Sequence, residues 1–518
     1  MKSSFRNDFG PVVCILILGF WIICIGFFNS PRYVDDSFIS FRYSLNLAEG
    51  YGLTWNRMQA PVEGFSNPLW VFFCSIGMLF GAEIVTFSYW LSIFFLGSTT
   101  FLLFWRVGYE NSSPAIGLTF ASIYLFTPDV LRSNLMGLET SLYAFLVMLF
   151  VVFAGRDGCR RFEFFLAILG VLVSLTRFEG GVLVFGLLLF RQIVHRSDDQ
   201  PLPGRALFVF TLLLLCISCL RWLHFGDLTP LTFQAKGGAL SSPLTSDVSD
   251  LSLRLFDGVY YILAFCQKYF VLIGLFIFAG VTSFSSSLFS KFVVVASAFF
   301  LLVAAANGGD WMPGYRLLTP MLPLLLLVLG SALSKFRYLP KTLHKLSASL
   351  LIVLFVFHTW QPSVLYVKSP SFQKHAYFEW DDTGRWLDTI LGSESLALLA
   401  QIGRIGFYGP NIRIIDFQGL VNPHVAKKGE RSSKFGKRLD LHSFGLYPSV
   451  IQSNNRSTLV GARSFYRSEG REEEYVELVV PEWKNTFILL KKEVLRSEKF
   501  YMPTEESFLN SLSGQLNQ

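Results

Sequence analysis

The sequence predicts a polytopic α-helical membrane protein followed by a small soluble α/β domain, and two observations carry that prediction. The 518-residue chain is 52% hydrophobic, only 16% charged and contains 54 Phe. That leaves too little polar surface to cover a soluble globule of this size, so its solvent is lipid. Apolar runs near the bilayer-spanning length of roughly 20 residues recur from about residue 11 to about residue 359, after which the composition turns ordinarily polar. Residues 1–360 are therefore expected to form the membrane domain and 361–518 the soluble one.

The short basic start MKSSFRND precedes a run longer than a signal-peptide core and without a small-residue cleavage site, which reads as a retained first helix. The basic loops GRDGCRR (155–161), RQIVHRSDDQPLPGR (191–205) and SKFRYLPKTLHK (334–345) face the cytoplasm by the positive-inside tendency. Those loops also account for the formal charge of +7, so nucleic acid is not an expected partner. The seven Cys all lie in or beside apolar runs and imply no disulfide framework.

Helices are expected near 137–154, 163–176, 180–194, 206–222, 259–282, 288–306, 316–333 and 346–359. Before them, the runs 68–80, 84–104 and 114–127 must together cross an even number of times, so one of them is expected not to span. The first and third have the length of a re-entrant or interfacial segment, and the total comes to about eleven crossings. This alternation puts the first loop (30–67), SNLMGLETS, TRFEGG, FGDLTPLTFQAKGG, NGGDWMPGYR and the soluble tail together on the extracytoplasmic face.

These loops hold the candidate chemistry. Asp35 and Asp36 follow the first helix directly. Partial desolvation and a neighbouring like charge raise a carboxylate's pKa, which suits a proton acceptor or metal ligand, while the plainer reading is a helix N-cap for SFISFRYSLNLA. Glu63 and Asn67 in EGFSN are placed to bind a hydroxylated substrate, or to form an interfacial turn. Glu139 in GLETS opens a helix and favours its positive end, or contacts sugar. Arg177 and Glu179 in TRFEGG read as an ion pair, with phosphate contact by Arg177 as the sharper alternative. Lys236 either holds a lipid phosphate as a point charge or snorkels to headgroups.

In NGGDWMPGYR, Asp310, Trp311 and Arg316 lie within ten residues. An indole face stacks on sugar, and carboxylate and guanidinium bind hydroxyls and phosphate. No GxxxxGK[ST], HExxH or paired CxxC motif is present, and CISC (216–219) reads as two packed thiols in an apolar helix. The tail (SESLALLAQIGRIGFYG, NIRIIDFQGLVNPHVA, EEEYVELVV, TFILLKKEVL) alternates short β-rich runs with Gly, Pro and Asn, which predicts an α/β domain binding an acceptor, shaping the cleft or capping the loops.

Taken in order, DDSFISFRYSLNLAEGYGLTWN, VEGFSNPLW, GLETS, GDLTPLTFQAKGG, NGGDWMPGYRLLTP and IIDFQGLVNPHVA resemble bacterial GT-C glycosyltransferases related to the mycobacterial terminal β-(1→2) arabinofuranosyltransferase. The resemblance implies a GT-C-like membrane domain in a bacterial cytoplasmic (inner) membrane and a polyprenyl-phosphate sugar donor. It also implies a glycan or glycolipid acceptor on the outer side, and a catalytic acid in the first loop at Asp35 or Asp36. Arg177, Lys236 and Arg316 are then the candidates for the donor phosphate; Glu63, Asn67, Glu139, Asp310 and Trp311 are those for sugar and acceptor. A divalent cation on the aspartates is compatible with this chemistry, but no spacing requires one. A lipid-linked sugar flippase and a noncatalytic envelope assembly protein are the competing classes. A flippase needs polar residues through both halves of the membrane, whereas here they crowd one face.

Overall fold

The computed structural model describes residues 9–29, 31, 33–57, 59–155, 160–195, 204–235, 248–283, 288–310, 312, 314–335, 371–391, 395–399, 401–416, 418–428, 430–433, 436–438, 450–453, 471–478 and 487–496. The expected helix at 346–359, Lys236 and Trp311 lie outside them.

The chain begins with α1 (Phe9–Phe28), the short polar α2 (Asp35–Ala48), α3 (Pro68–Leu79), α4 (Ile84–Glu110), α5 (Pro114–Leu125), α6 (Pro128–Asn134) and α7 (Thr140–Ala154). Next come α8 (Arg160–Thr176), α9 (Phe178–His195), α10 (Gly204–Phe225), α11 (Leu231–Ala235), α12 (Val248–Lys268), α13 (Phe270–Ser283), α14 (Leu288–Ala306) and α15 (Leu322–Lys335). Prolines open α3, α5 and α6 at their first position, where the missing N–H has no helical acceptor to lose. Glu83 caps α4 by accepting from the Val85 and Thr86 amides.

Among the described residues four helices are each long and apolar enough to cross a bilayer, and two bent pairs raise that to six. Of the three runs in question, 84–104 lies within the 27-residue α4, whereas 68–80 makes only the 12-residue α3. The run 114–127 ends in a 60° bend between α5 and α6. The helix expected at 259–282 is instead two helices meeting at 90°. The carboxylate of Asp129, on α6, accepts from Tyr269 Oη at 2.8 Å and lies 2.6 Å from Lys268 Nζ, so one buried acid pins both bends together. The helix expected at 316–333 starts at Leu322, after a 3₁₀ turn at Thr319–Met321.

The soluble part contains α16 (Ser371–Ile390), β1 (Leu396–Leu399), α17 (Gly403–Tyr408), β2 (Arg413–Asp416), α18 (Pro423–Lys428), β3 (Glu430–Ser433), β4 (Gly436–Arg438), β5 (Val450–Ser453), β6 (Tyr475–Leu478) and β7 (Phe487–Lys491). A five-stranded sheet runs β2-β1-β5-β7-β6; β1 is parallel to β2 and β5, and β7 is antiparallel to β5 and β6. Its core continues into the first loop, because Ile39, Tyr43, Trp55 and Phe65 pack in one cluster with Trp386, Ile414, Val450 and Ile488. A loop inserted after the first helix of the membrane domain and a segment following that domain therefore fold as a unit.

Close helix packing depends on small residues. A Cβ at Gly117 would stand 2.5 Å from Phe104 O and 2.9 Å from Gly108 Cα, so α5 lies against α4 only because that position is glycine. Gly117→Val is expected to destabilise the protein by about 1–3 kcal/mol, read as a lower thermal midpoint in detergent. Gly186→Ala, where nothing lies within 4 Å of an added Cβ, should not lower it.

Candidate active site

Asp35 and Asp36 are the first two residues of α2, and the N-cap is Val34, in extended backbone and without a side-chain cap bond. Asp35 does not cap its own helix. Its two carboxylate oxygens accept from the Gly403 amide at 3.0 Å and the Arg404 amide at 2.8 Å, the first turn of α17. Burial pushes Asp35 up to about 6, while the Arg404 amide bond opposes the shift and Asp36 adds to it. The charge of Asp36 is felt at Arg316, from the NGGDWMPGYR loop, and at Asp416, at the end of β2.

The neighbouring loops close on this point through a chain of buried polar contacts. Ser40, one turn along α2, donates to Asn67 Oδ1 at 3.0 Å, and Asn67 Nδ2 donates to Glu139 Oε2 at 2.7 Å. Arg177 Nε stands 3.8 Å from Glu139 Oε1 and 2.8 Å from Glu179 Oε1, with its guanidinium over the Tyr143 ring. The ion pair expected in TRFEGG therefore forms, and Glu139 joins it. Arg316 Nε donates to Asp310 Oδ2 at 2.9 Å, and Arg316 also senses Arg177 and Glu139. Thus Asn67, Glu139, Arg177, Asp310 and Arg316, drawn from four loops, form one polar cluster within electrostatic reach of Asp36. Among the described residues no three His, Cys, Asp or Glu side chains are grouped to hold a metal ion.

Residues 370–493 match a domain of unknown function, DUF8728, and no curated protein matches the sequence. Two crystal structures of ArnT from Cupriavidus metallidurans, which have the GT-C membrane fold, align over 92% of this chain and 97% of theirs at 11% identity. The one bound to undecaprenyl phosphate gives a TM-score of 0.57, and the one in the apo state gives 0.59. This chain has the GT-C membrane fold.

Within the GT-C fold, Glu63 takes a different partner. It is buried against Arg221 of α10 at 2.8 Å, and burial pushes it up to about 7 against the pull of that guanidinium. Its backbone carbonyl accepts from Leu231 N, so it braces α10 and α11 against the first loop. Three buried hydroxyls at the head of α7, Thr140 Oγ1, Ser141 Oγ and Tyr143 Oη, have no hydrogen-bond partner among the described residues, and burying such a group unmet costs about 1–3 kcal/mol. They flank Glu139 and Arg177, as partners for a hydroxyl-bearing ligand would.

Sequence reasoning passed over Asp416. It is fully buried, and its carboxylate accepts from the backbone amides of Gln418, Leu420 and Val421, which shapes the turn in IIDFQGLVN. That turn rests on EGFSN, where a Cβ at Gly64 would collide with Val421. The sequence signal is an Asp ending a β-rich run three residues before Gly419, whose φ is +76°. Burial pushes Asp416 up to about 7 from 3.8, partly offset by its three amide donors. An acid that holds its proton more tightly when folded stabilises most below about pH 4 and loses that contribution as the pH rises to about 7. The thermal midpoint should therefore fall across this window, and Asp416→Asn, which has no such proton to bind, should flatten the slope.

Proposed function

We propose that the chain is an integral-membrane inverting glycosyltransferase. It moves a sugar, arabinofuranose by the sequence resemblance, from a polyprenyl-phosphate donor to an envelope glycan or glycolipid acceptor. The reaction is assigned to the extracytoplasmic face of a bacterial cytoplasmic membrane. The observation that carries this reading is the convergence of Asp36 with the Asp310–Arg316 and Glu139–Arg177 pairs at the junction with the soluble domain. The GT-C fold shared with a structure that holds undecaprenyl phosphate supports a polyprenyl-phosphate donor.

Asp36 takes the proton from the acceptor hydroxyl, and the freed oxygen attacks the anomeric carbon from the side opposite the phosphate. As that C–O bond forms, the bond to phosphate breaks and its electron pair departs with the polyprenyl phosphate. Inversion follows from this single displacement. Polyprenyl phosphate is a fair leaving group, so the protein's remaining task is to steady its growing charge, and Arg316 and Arg177 are the described cations in the cluster. Lys236 and Trp311 keep the roles their loops suggest, lipid phosphate and sugar face. Asn67, Glu139 and the hydroxyls of Thr140, Ser141 and Tyr143, unpartnered among the described residues, offer hydrogen bonds to sugar hydroxyls. Asp310 orients Arg316. Asp35 accepts from two amides of the soluble domain, which suits it to holding α2 in place.

General-base help contributes about 10² to 10⁴ in rate, so Asp36→Asn should lose that factor while still folding and inserting. Mass analysis of envelope glycans and polyprenyl-phosphate sugars in cells carrying the variant checks this: a terminal sugar goes missing and its lipid donor accumulates. Wild-type glycans with Asp36→Asn would end the transferase reading, and donor trapped on the inner leaflet would replace it with a flippase.

A further inference from the structure

We infer that the soluble domain of unknown function is a positioning module: α2 clamps both ends of its helix α17, and this clamp fixes the orientation in which α2 presents Asp36. The inference rests on Asp36 being the reacting acid. Asp35 and Arg42 are seven residues apart on α2 and therefore share one face, with Asp36 about 100° round the same rigid helix. At the start of α17, Asp35 accepts from the Gly403 and Arg404 amides. At its end, Arg42 Nη1 donates to Gly406 O at 2.6 Å and Gly409 O at 3.4 Å, and Nη2 donates to Pro410 O at 3.4 Å and Ile412 O at 2.9 Å. An anion meets the positive end of the helix and a cation the negative end, so the two contacts work in the same sense.

The clamp is directional. Arg42 is 0% exposed, its Nε donates to Trp55 O at 2.9 Å, and its guanidinium lies 4.5 Å from the Trp55 ring centroid. Burial brings its pKa down only to about 9, so it remains a cation at neutral pH. A buried guanidinium whose forked donors all face carbonyls tolerates little rotation, because each lost bond strands a polar group in a dry site. Glycines make room for it. A Cβ at Gly403 would run into the Asp35 carbonyl, and one at Gly406 would stand 2.9 Å from Arg42 Nη1, so GRIG (403–406) is the receiving half of the clamp. On the far side, Arg404 grips Asp381 of α16 with two bonds of 2.6 and 2.7 Å, tying α17 to the rest of the domain.

The test uses the full chain in lipid nanodiscs and the variants Arg42→Lys, which keeps the charge but not the fork, and Gly406→Ala, which keeps Arg42 and crowds it. Hydrogen exchange should speed up by about tenfold in 403–412 and, together with it, in the first turn of α2. Turnover should fall by about 10²-fold, as for an ångström-scale misplacement, with the KM for donor and the binding of undecaprenyl phosphate within about twofold of wild type. Gly406→Ala should show the same coupled pattern at smaller size, and it decides the matter if Arg42→Lys does not accumulate. Faster exchange in 403–412 with an unchanged α2, or wild-type turnover with both loosened, overturns the inference. Coupled exchange in the variants, with a wild-type chain that transfers no sugar, supports the clamp and instead overturns the transferase reading.

Discussion

A charge taken out of water has to be matched, and in this chain that rule decides where the loops meet. Among the described residues of its membrane part, most deeply buried charged side chains are half of a pair made across long sequence distance: Glu63 with Arg221, Glu139 with Arg177, Glu163 with Arg191 and Asp129 with Lys268. An unmatched buried ion is worth several kcal/mol against folding, whereas a matched one is near neutral. These pairs therefore act less as a store of stability than as a filter that rejects other arrangements of greasy helices.

Apolar helices alone would leave much of that choice open, because lipid tails solvate them as well as other helices do. Close packing through glycines such as Gly117, Gly258 and Gly330 sets which helices touch. The buried acids then set register and bend. Asp129 draws Lys268 and Tyr269 towards α6 just where two helix pairs break, so the two breaks are tied to each other. The loop following α14, with Gly308, Gly309 and Gly314 all at positive φ, is free to fold Arg316 back onto Asp310.

The same logic explains why the first loop belongs to the soluble domain's core. It carries the large side chains Tyr43, Trp55 and Phe65, and these are buried only because a sheet formed some 350 residues later in the sequence covers them. Asn56 completes the join by accepting from Ile414 N at 2.9 Å and donating to Ile414 O at 3.0 Å, as a neighbouring strand would. The first loop would otherwise be held from the membrane part only, and here the covering domain holds its other side.

The sequence by itself determined the solvent, the order of the apolar runs, the break in composition near residue 360 and the set of loops with unusual polar residues. Each of these follows from hydropathy and charge, which are local properties. Asp36, Asn67, Glu139, Arg177, Asp310 and Arg316 were legible as candidates for that reason, being polar groups that lipid-facing loops have no need of. Tertiary structure alone decided which partner each of them takes. Asp35 and Asp36 are adjacent and chemically identical, yet one is tied to the Gly403 amide while the other's charge reaches Arg316. Glu63, no less polar than Glu139, is turned to Arg221. Asp416 looked like the end of a strand, and the 90° bend at Tyr269 has the same hydropathy as a straight helix. Pairing depends on where distant segments come to rest, and a one-dimensional pattern of apolar and charged residues does not hold that information.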